Sequence, residues 1–81
     1  MTFAPFQRVV LAADVPEDRL RAGDVGVVVE HYRARGDVPE GYEVEFFSAT
    51  GETVAVVSLS ATSLRAADAT EVLSVRGLAR A

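Results

Sequence analysis

The stretch Leu20-Arg-Ala-Gly-Asp-Val-Gly-Val-Val-Val-Glu30 decides the fold of this 81-residue chain. Its glycines precede and interrupt a run of valines, which is typical of a turn that leads into a strand. Gly41-Tyr-Glu-Val-Glu-Phe-Phe47 and Glu52-Thr-Val-Ala-Val-Val-Ser-Leu59 continue the pattern after short connections. Three consecutive strands of this kind predict a small antiparallel β-barrel.

The strand over residues 42–47 has the clearest alternation, so both of its faces can be predicted. We expect Tyr42, Val44 and Phe46 to point inward and Glu43 and Glu45 to point outward. Further strands are predicted over residues 6–13, 25–32, 53–59 and 64–67. Simple alternation places other apolar side chains inside, namely Val25, Val27, Val29, Ala55, Val57 and Leu59. It leaves five large ones on outer faces, namely Val10, Val28, Phe47, Val54 and Val56.

The connections carry local signals of their own. Pro16 suits the first position of a single helical turn in the loop over residues 14–20, and Leu20 should anchor that loop inward. Gly26 marks a bulge or a close approach inside a strand. Gly51 should adopt a positive φ in a tight hairpin turn, and residues 60–63 suit a short 3-10 turn. Residues 33–41 are predicted to form a polar, flexible connection.

The C-terminal part of the chain is ambiguous. Asp68 and Glu71 have the spacing of a capping box, which would begin a helix, but Val72-Leu-Ser-Val75 is rich in β-branched residues. We favour a sixth strand there that pairs with the barrel. The domain is thus predicted over residues 1–67, and residues 68–81 form a segment that packs on the barrel or is partly flexible. Packing of Val72, Leu73, Val75 and Leu78 would cover the outer valines; contact with another protein is the alternative.

Composition narrows the class of protein. Half of the residues (49%) are apolar and none is Cys, so one small domain must fold by packing alone. The N-terminus lacks the basic start and apolar run of a signal peptide, and no stretch is apolar enough to span a bilayer. We therefore expect a cytoplasmic protein with no membrane partner.

The net charge of −4 is unevenly distributed. Residues 36–64 contain no basic residue and five acids, which are Asp37, Glu40, Glu43, Glu45 and Glu52. The negative charge therefore lies on one central hairpin. Such a surface disfavours nucleic acid and suits either solvent or a basic partner.

The supply of catalytic groups is small. His31 is the only histidine, there is no Cys, and no base stands beside a Ser or Thr in the predicted layout. One His and scattered carboxylates suit neither a zinc site nor a calcium loop. We predict no catalytic residue, no metal and no cofactor, and so a protein that is not an enzyme.

The main hypothesis is a non-catalytic protein-interaction module. Its site would comprise Glu30, Glu43, Glu45, Glu52 and Phe47, with the glutamates orienting a basic protein and Phe47 supplying buried area. The partner would be a toxin or an enzyme that this small acidic chain accompanies or restrains. A second copy, bound through an edge strand or the outer valines, is a further option.

The alternative hypothesis is a barrel that binds nucleic acid. Arg19 and Arg21 in the first loop, with Arg33 and Arg35 after the second strand, would form its basic patch. The balancing acids of the same region argue against it.

The order of strands and connections is that of SH3-like barrels. Leu20, the Gly23-Asp-Val-Gly26 motif and the valines after it also resemble the start of KOW-type barrels of ribosomal and transcription proteins. A more extended similarity is to a family of small bacterial proteins labelled domain of unknown function 4926. It is carried by Val10-Leu11, Pro16, Leu20, Gly23-Asp-Val-Gly26, Val28-Val29, Tyr42-Glu-Val-Glu-Phe46, Gly51-Glu-Thr53 and Leu59. This resemblance implies a compact barrel-like domain and brings no assigned catalytic residues.

Overall fold

The computed structural model describes residues 2–78, which form one antiparallel β-sheet with its connections. Its strands are β1 (Arg8–Leu11), β2 (Val25–Tyr32), β3 (Gly41–Phe47), β4 (Thr53–Ser60) and β5 (Leu64–Ala66). They are arranged in the order β4-β3-β2-β1-β5. The all-β prediction is confirmed. The architecture is consistent with a small SH3-like barrel, although the sheet is not closed and β4 and β5 form its two edges.

The core lies on one face of this sheet. Tyr42, Val44 and Phe46 of β3 are at most 2% exposed, as the alternation predicts. They pack with residues from β1, β2, β5 and the first segments of the chain, which are Phe3, Val9, Leu11, Leu20, Val28 and Leu64. Ala55, Val57 and Leu59 of β4 cover this cluster from the side, also as predicted. Val54, predicted on an outer face, packs against it too, because the register shift between Phe46 and Phe47 interrupts the alternation.

The predicted faces of β2 are wrong. Val28 is buried, whereas Val29 is exposed and Val25 and Val27 are only partly covered. The residue that alternates with Val28 on the inner face is Gly26, which has no side chain to reveal its orientation. The register then shifts between Val28 and Glu30, so the alternation does not continue along the strand.

Of the two alternatives predicted at Gly26, the structure confirms the close approach; the irregularity of β2 lies further on, between Val28 and Glu30. A Cβ atom there would lie 2.5 Å from Val44 Cγ1 and 2.9 Å from Phe46 Cε2. Only a residue without a side chain leaves room for these two core groups.

The local signals in the connections are confirmed. Pro16–Asp18 forms a 3-10 turn and Leu20 is buried. Ala61–Ser63 forms a second turn, capped by the Ser60 hydroxyl, and Gly51 has a φ of 90°. The flexibility expected of residues 33–41 stays a prediction; this connection contains a tight turn, in which Arg35 and Val38 exchange two backbone hydrogen bonds of 2.8 and 2.9 Å.

The sixth strand predicted over residues 72–75 is wrong, since residues 71–78 form neither strand nor helix. Arg65 of β5 bonds Glu71 through both terminal nitrogens, at 2.9 and 2.6 Å. Arg76 bonds both carboxylate oxygens of Asp24, which precedes β2. We call residues 71–76, which run between these two ion pairs, the strap. The part of the tail prediction that covers residues 79–81 lies outside the described residues.

Val10, also predicted to lie on an outer face, is only 4% exposed. Val10 is absent from the core cluster and lies between Val25 and Arg65 in the sheet. The strap is joined to the sheet at Arg65, one of these neighbours, and at Asp24, which precedes the other. Val72, Leu73, Val75 and Leu78 remain 91%, 63%, 83% and 38% exposed, so the expected packing of these side chains is not found.

Candidate functional site

Three glutamates lie side by side on the outer face of the sheet. Glu30 of β2 and Glu43 of β3 are directly opposite each other, and Glu45 follows two residues after Glu43 on the same face. The spacing of the last two along the strand is about 7 Å. We call Glu30, Glu43 and Glu45 the acidic face. The structure therefore brings together three of the five residues predicted for a partner site.

Hydroxyl groups of β4 hold two of these carboxylates in place. Ser58 donates a hydrogen bond to Glu43, and Thr53 donates one to Glu45. Neither hydroxyl neutralises the charge it contacts. The sheet thus orients these two carboxylates through neutral hydroxyls and not through cations, which suits a surface that binds a cation.

No basic side chain within residues 2–78 forms an ion pair with the acidic face. Within residues 2–78 the ion pairs are His31–Glu40, Arg65–Glu71 and Arg76–Asp24. The negative charge of the acidic face also affects Tyr32, the last residue of β2. Partial desolvation raises the pKa of Tyr32, and the charges of Glu43 and Glu30 act in the same direction. Like charges opposite each other on a sheet are destabilising, so stability alone does not account for this arrangement.

Apolar groups border the acidic face. Val56 of β4 lies next to Glu45 across the sheet and is 50% exposed. Phe47 ends β3 on the same face and is 44% exposed. Glu52, the remaining predicted residue, lies in the β3–β4 turn, where the Thr50 hydroxyl donates to it. It stands at the end of the hairpin, apart from the row of three.

A polar cluster around Tyr42 was not predicted from the sequence. The Tyr42 hydroxyl accepts a hydrogen bond of 2.9 Å from the Phe3 N–H, and the His31 ring stacks on the Tyr42 ring at 4.8 Å. His31 Nε2 is 2.6 Å from Glu40 Oε2. Glu40 lies nine residues after His31 across an irregular loop, so no pattern in the sequence joins the two. The cluster ties the N-terminal segment and the loop to β3.

The four arginines of the alternative hypothesis do not form one patch. Arg19 and Arg21 precede β2, whereas Arg33 and Arg35 follow it. The eight residues of β2 separate the two pairs by roughly 26 Å at the usual strand rise. Arg33 and Arg35 do share an open depression, which is lined by His31, Tyr32, Arg33, Ala34, Arg35 and Val38.

Two further properties bear on the class of site. Among residues 2–78, no group of three His, Cys, Asp or Glu side chains is placed to hold a metal ion. The helical segments in the same range are too short and too polar to cross a membrane.

Comparison with known proteins agrees with the boundaries of the sheet. Residues 6–66 match the family model described as Domain of unknown function (DUF4926). The chain belongs to this family. The resemblance noted from the sequence is therefore confirmed, and the DUF4926 match ends at the last residue of β5, before the strap. No curated protein and no solved structure matches the chain.

Proposed function

We propose that this protein is a non-catalytic interaction module that binds a basic protein through its acidic face. The observation that carries the proposal is the row of Glu30, Glu43 and Glu45, which has no ion pair in the described part of the chain and in which β4 hydroxyls orient Glu43 and Glu45. A cationic partner would remove the repulsion between Glu30 and Glu43. The partner is a basic protein, such as a toxin or an enzyme that this chain restrains.

The bordering apolar groups give the second part of the argument. Charged pairs mainly supply orientation and association rate, whereas buried apolar side chains supply most of the affinity. Phe47 and Val56 lie beside the glutamates and are about half exposed. Phe47 and Val56 thus make the apolar contacts with the partner, and the glutamates select a partner with a basic surface.

Charge reversal on the acidic face is the direct test. We expect the double variant Glu43→Arg plus Glu45→Arg to lose a partner that co-purifies with the wild-type protein from its native cells. Affinity should fall on the order of a hundredfold or more, because like charges across an interface cost several kcal/mol. Mass spectrometry of the co-purified material identifies the partner, and titration calorimetry then measures both affinities.

The matched control is Glu17→Arg plus Asp37→Arg. It changes the net charge by the same amount at two exposed positions away from the acidic face. Circular dichroism checks that both double variants are folded. Retained binding in the Glu43/Glu45 variant, or equal loss in both, would contradict the proposal.

A nucleic-acid role is the second candidate, favoured by the depression in which Arg33 and Arg35 lie beside Tyr32. Binding through these groups would be strongest at low salt and would weaken as salt is added. A mobility-shift titration with single-stranded and double-stranded RNA and DNA tests it, with Arg33→Ala plus Arg35→Ala as the binding-deficient variant. Absence of any shift at low salt would remove this candidate.

A further inference from the structure

The free backbone edge of β4 is a second feature, distinct from the outward side chains of β4 that the proposed function uses. β4 pairs with β3 along one side, and no strand within residues 2–78 pairs with its other side. Its eight residues, Thr53-Val-Ala-Val-Val-Ser-Leu-Ser60, contain no charge and no proline. Natural edge strands are usually protected by such residues, because unpaired backbone groups can pair with another chain.

The two ends of this edge limit the part that can pair. The register shift between Phe46 and Phe47 leaves Val54 as an extra residue, and the 3-10 turn begins at Ala61. A regular, unpaired edge therefore remains over residues 55–60. The opposite edge, β5, has only three residues, includes Arg65 and is followed by the strap.

We propose that β4 pairs with β4 of a second copy of this chain, antiparallel and centred on Val57. A two-fold axis normal to the sheet keeps the core side of one copy continuous with the core side of the other. In this register Ala55 faces Leu59 of the second copy, which sets a small residue against a large one. On the outer face the half-exposed Val56 faces Ser58 of the second copy. No charged residue is placed opposite another.

Electrostatics favours this route of self-association over the outer face. Face-to-face contact would bring the acidic faces of two copies together. Edge pairing instead places the two β3 strands three strand spacings apart, about 14 Å. This distance exceeds the Debye length of about 8 Å at physiological salt, so the repulsion is screened. The inference is independent of the proposed function, because the acidic faces of both copies stay free on one side of the joined sheet.

Cysteine pairing tests the register, since the chain has no Cys of its own. Val56→Cys and Ser58→Cys should form a mixed disulfide when the two variants are combined under mild oxidation. Either variant alone should link poorly, because identical positions are offset by two residues, about 8 Å, beyond the usual range of Cα separations for a disulfide. Thr50→Cys, exposed in the β3–β4 turn, combined with Val56→Cys controls for random collision.

Light scattering of the unmodified protein gives the independent measurement. The mean mass should rise with concentration from 8.6 kDa toward twice that value. A mass that stays monomeric up to millimolar protein would overturn the proposal. So would mixed disulfides no more abundant than in the Thr50→Cys control. Both results are independent of partner capture, so they are distinguishable from a failure of the proposed function.

Discussion

Replacement of Tyr42 by alanine should destabilise the protein by about 3 to 5 kcal/mol, the usual range for removing a buried aromatic ring. Tyr42 is fully buried, and its ring contacts the rings of Phe3 and His31 at centroid distances of 5.1 and 4.8 Å. Small domains have a total stability of the order of 5 to 15 kcal/mol. The variant should therefore lose a large fraction of its stability and unfold at a much lower urea concentration than the wild type.

Tyr42→Phe separates the hydroxyl from the ring. It retains the packing but leaves the Phe3 N–H without its acceptor, which should cost about 1 to 2 kcal/mol. Urea titrations followed by circular dichroism give both free energies of unfolding. Hydrogen exchange at the Phe3 amide should also become faster in Tyr42→Phe. Equal losses in the two variants would show that the hydroxyl, and not the ring, dominates.

Gly26→Ala should destabilise the protein by about 1 to 3 kcal/mol, the usual cost of overpacking a core. The added methyl group would lie 2.5 Å from Val44 Cγ1. Val44 is fully buried and, being β-branched, has few alternative rotamers, so the strands themselves must move apart. Glycine-to-alanine changes often stabilise a protein, because they reduce the conformational entropy of the unfolded chain. The expected change in the free energy of unfolding at Gly26 has the opposite sign.

Gly77→Ala is the matched control for this substitution. A Cβ atom there meets nothing within 4 Å, and Gly77 does not adopt a positive φ. Its free energy of unfolding should equal or slightly exceed that of the wild type. The urea midpoints of both variants measure this difference in stability. If Gly26→Ala were as stable as Gly77→Ala, the sheet would accommodate the added methyl group without loss of stability.

The comparison of β3 with β2 shows which parts of the fold can be predicted from sequence. In β3 every apolar residue up to Phe46 alternates with a glutamate, so hydropathy alone orients the strand. In β2 valines occupy both faces, and the inner position at Gly26 has no side chain. The shift after Val28 has no sequence mark either, because it depends on pairing with β3.

The tail shows that a capping contact can form without the helix it usually begins, and without the strand that we favoured there. Asp68 and Glu71 do form the capping interaction, since the Asp68 N–H donates to Glu71 Oε1 at 2.7 Å. No helix follows, because the next residues have poor helix propensity and Arg65 also binds Glu71. The capping spacing therefore predicted a contact but not a helix.

The same distinction applies to the candidate site. The acidic face could be predicted because Glu43 and Glu45 are neighbours within one strand, and Glu30 lies on the strand that pairs with it. The contact of His31 with Glu40 passes through an irregular loop, and the one between Asp24 and Arg76 joins residues 52 positions apart. Such contacts depend on the folded chain path, which no local pattern encodes.

The strap is fastened by guanidinium–carboxylate contacts, whereas the sheet beneath it is held by apolar packing. Burial alone would raise the pKa of Asp24, but the bonds from Arg76 and the Arg21 N–H outweigh it and lower that pKa. The Arg65 guanidinium lowers the pKa of Glu71 to about 2. Because both pKa values are lowered, each carboxylate contributes fully to folding stability when the pH is above its ordinary pKa. The contribution of Glu71 decreases below pH 4.5 and is lost as the pH falls through about 2. Mild acid therefore leaves both ion pairs of the strap in place, whereas concentrated salt weakens them and leaves the apolar packing of the sheet intact.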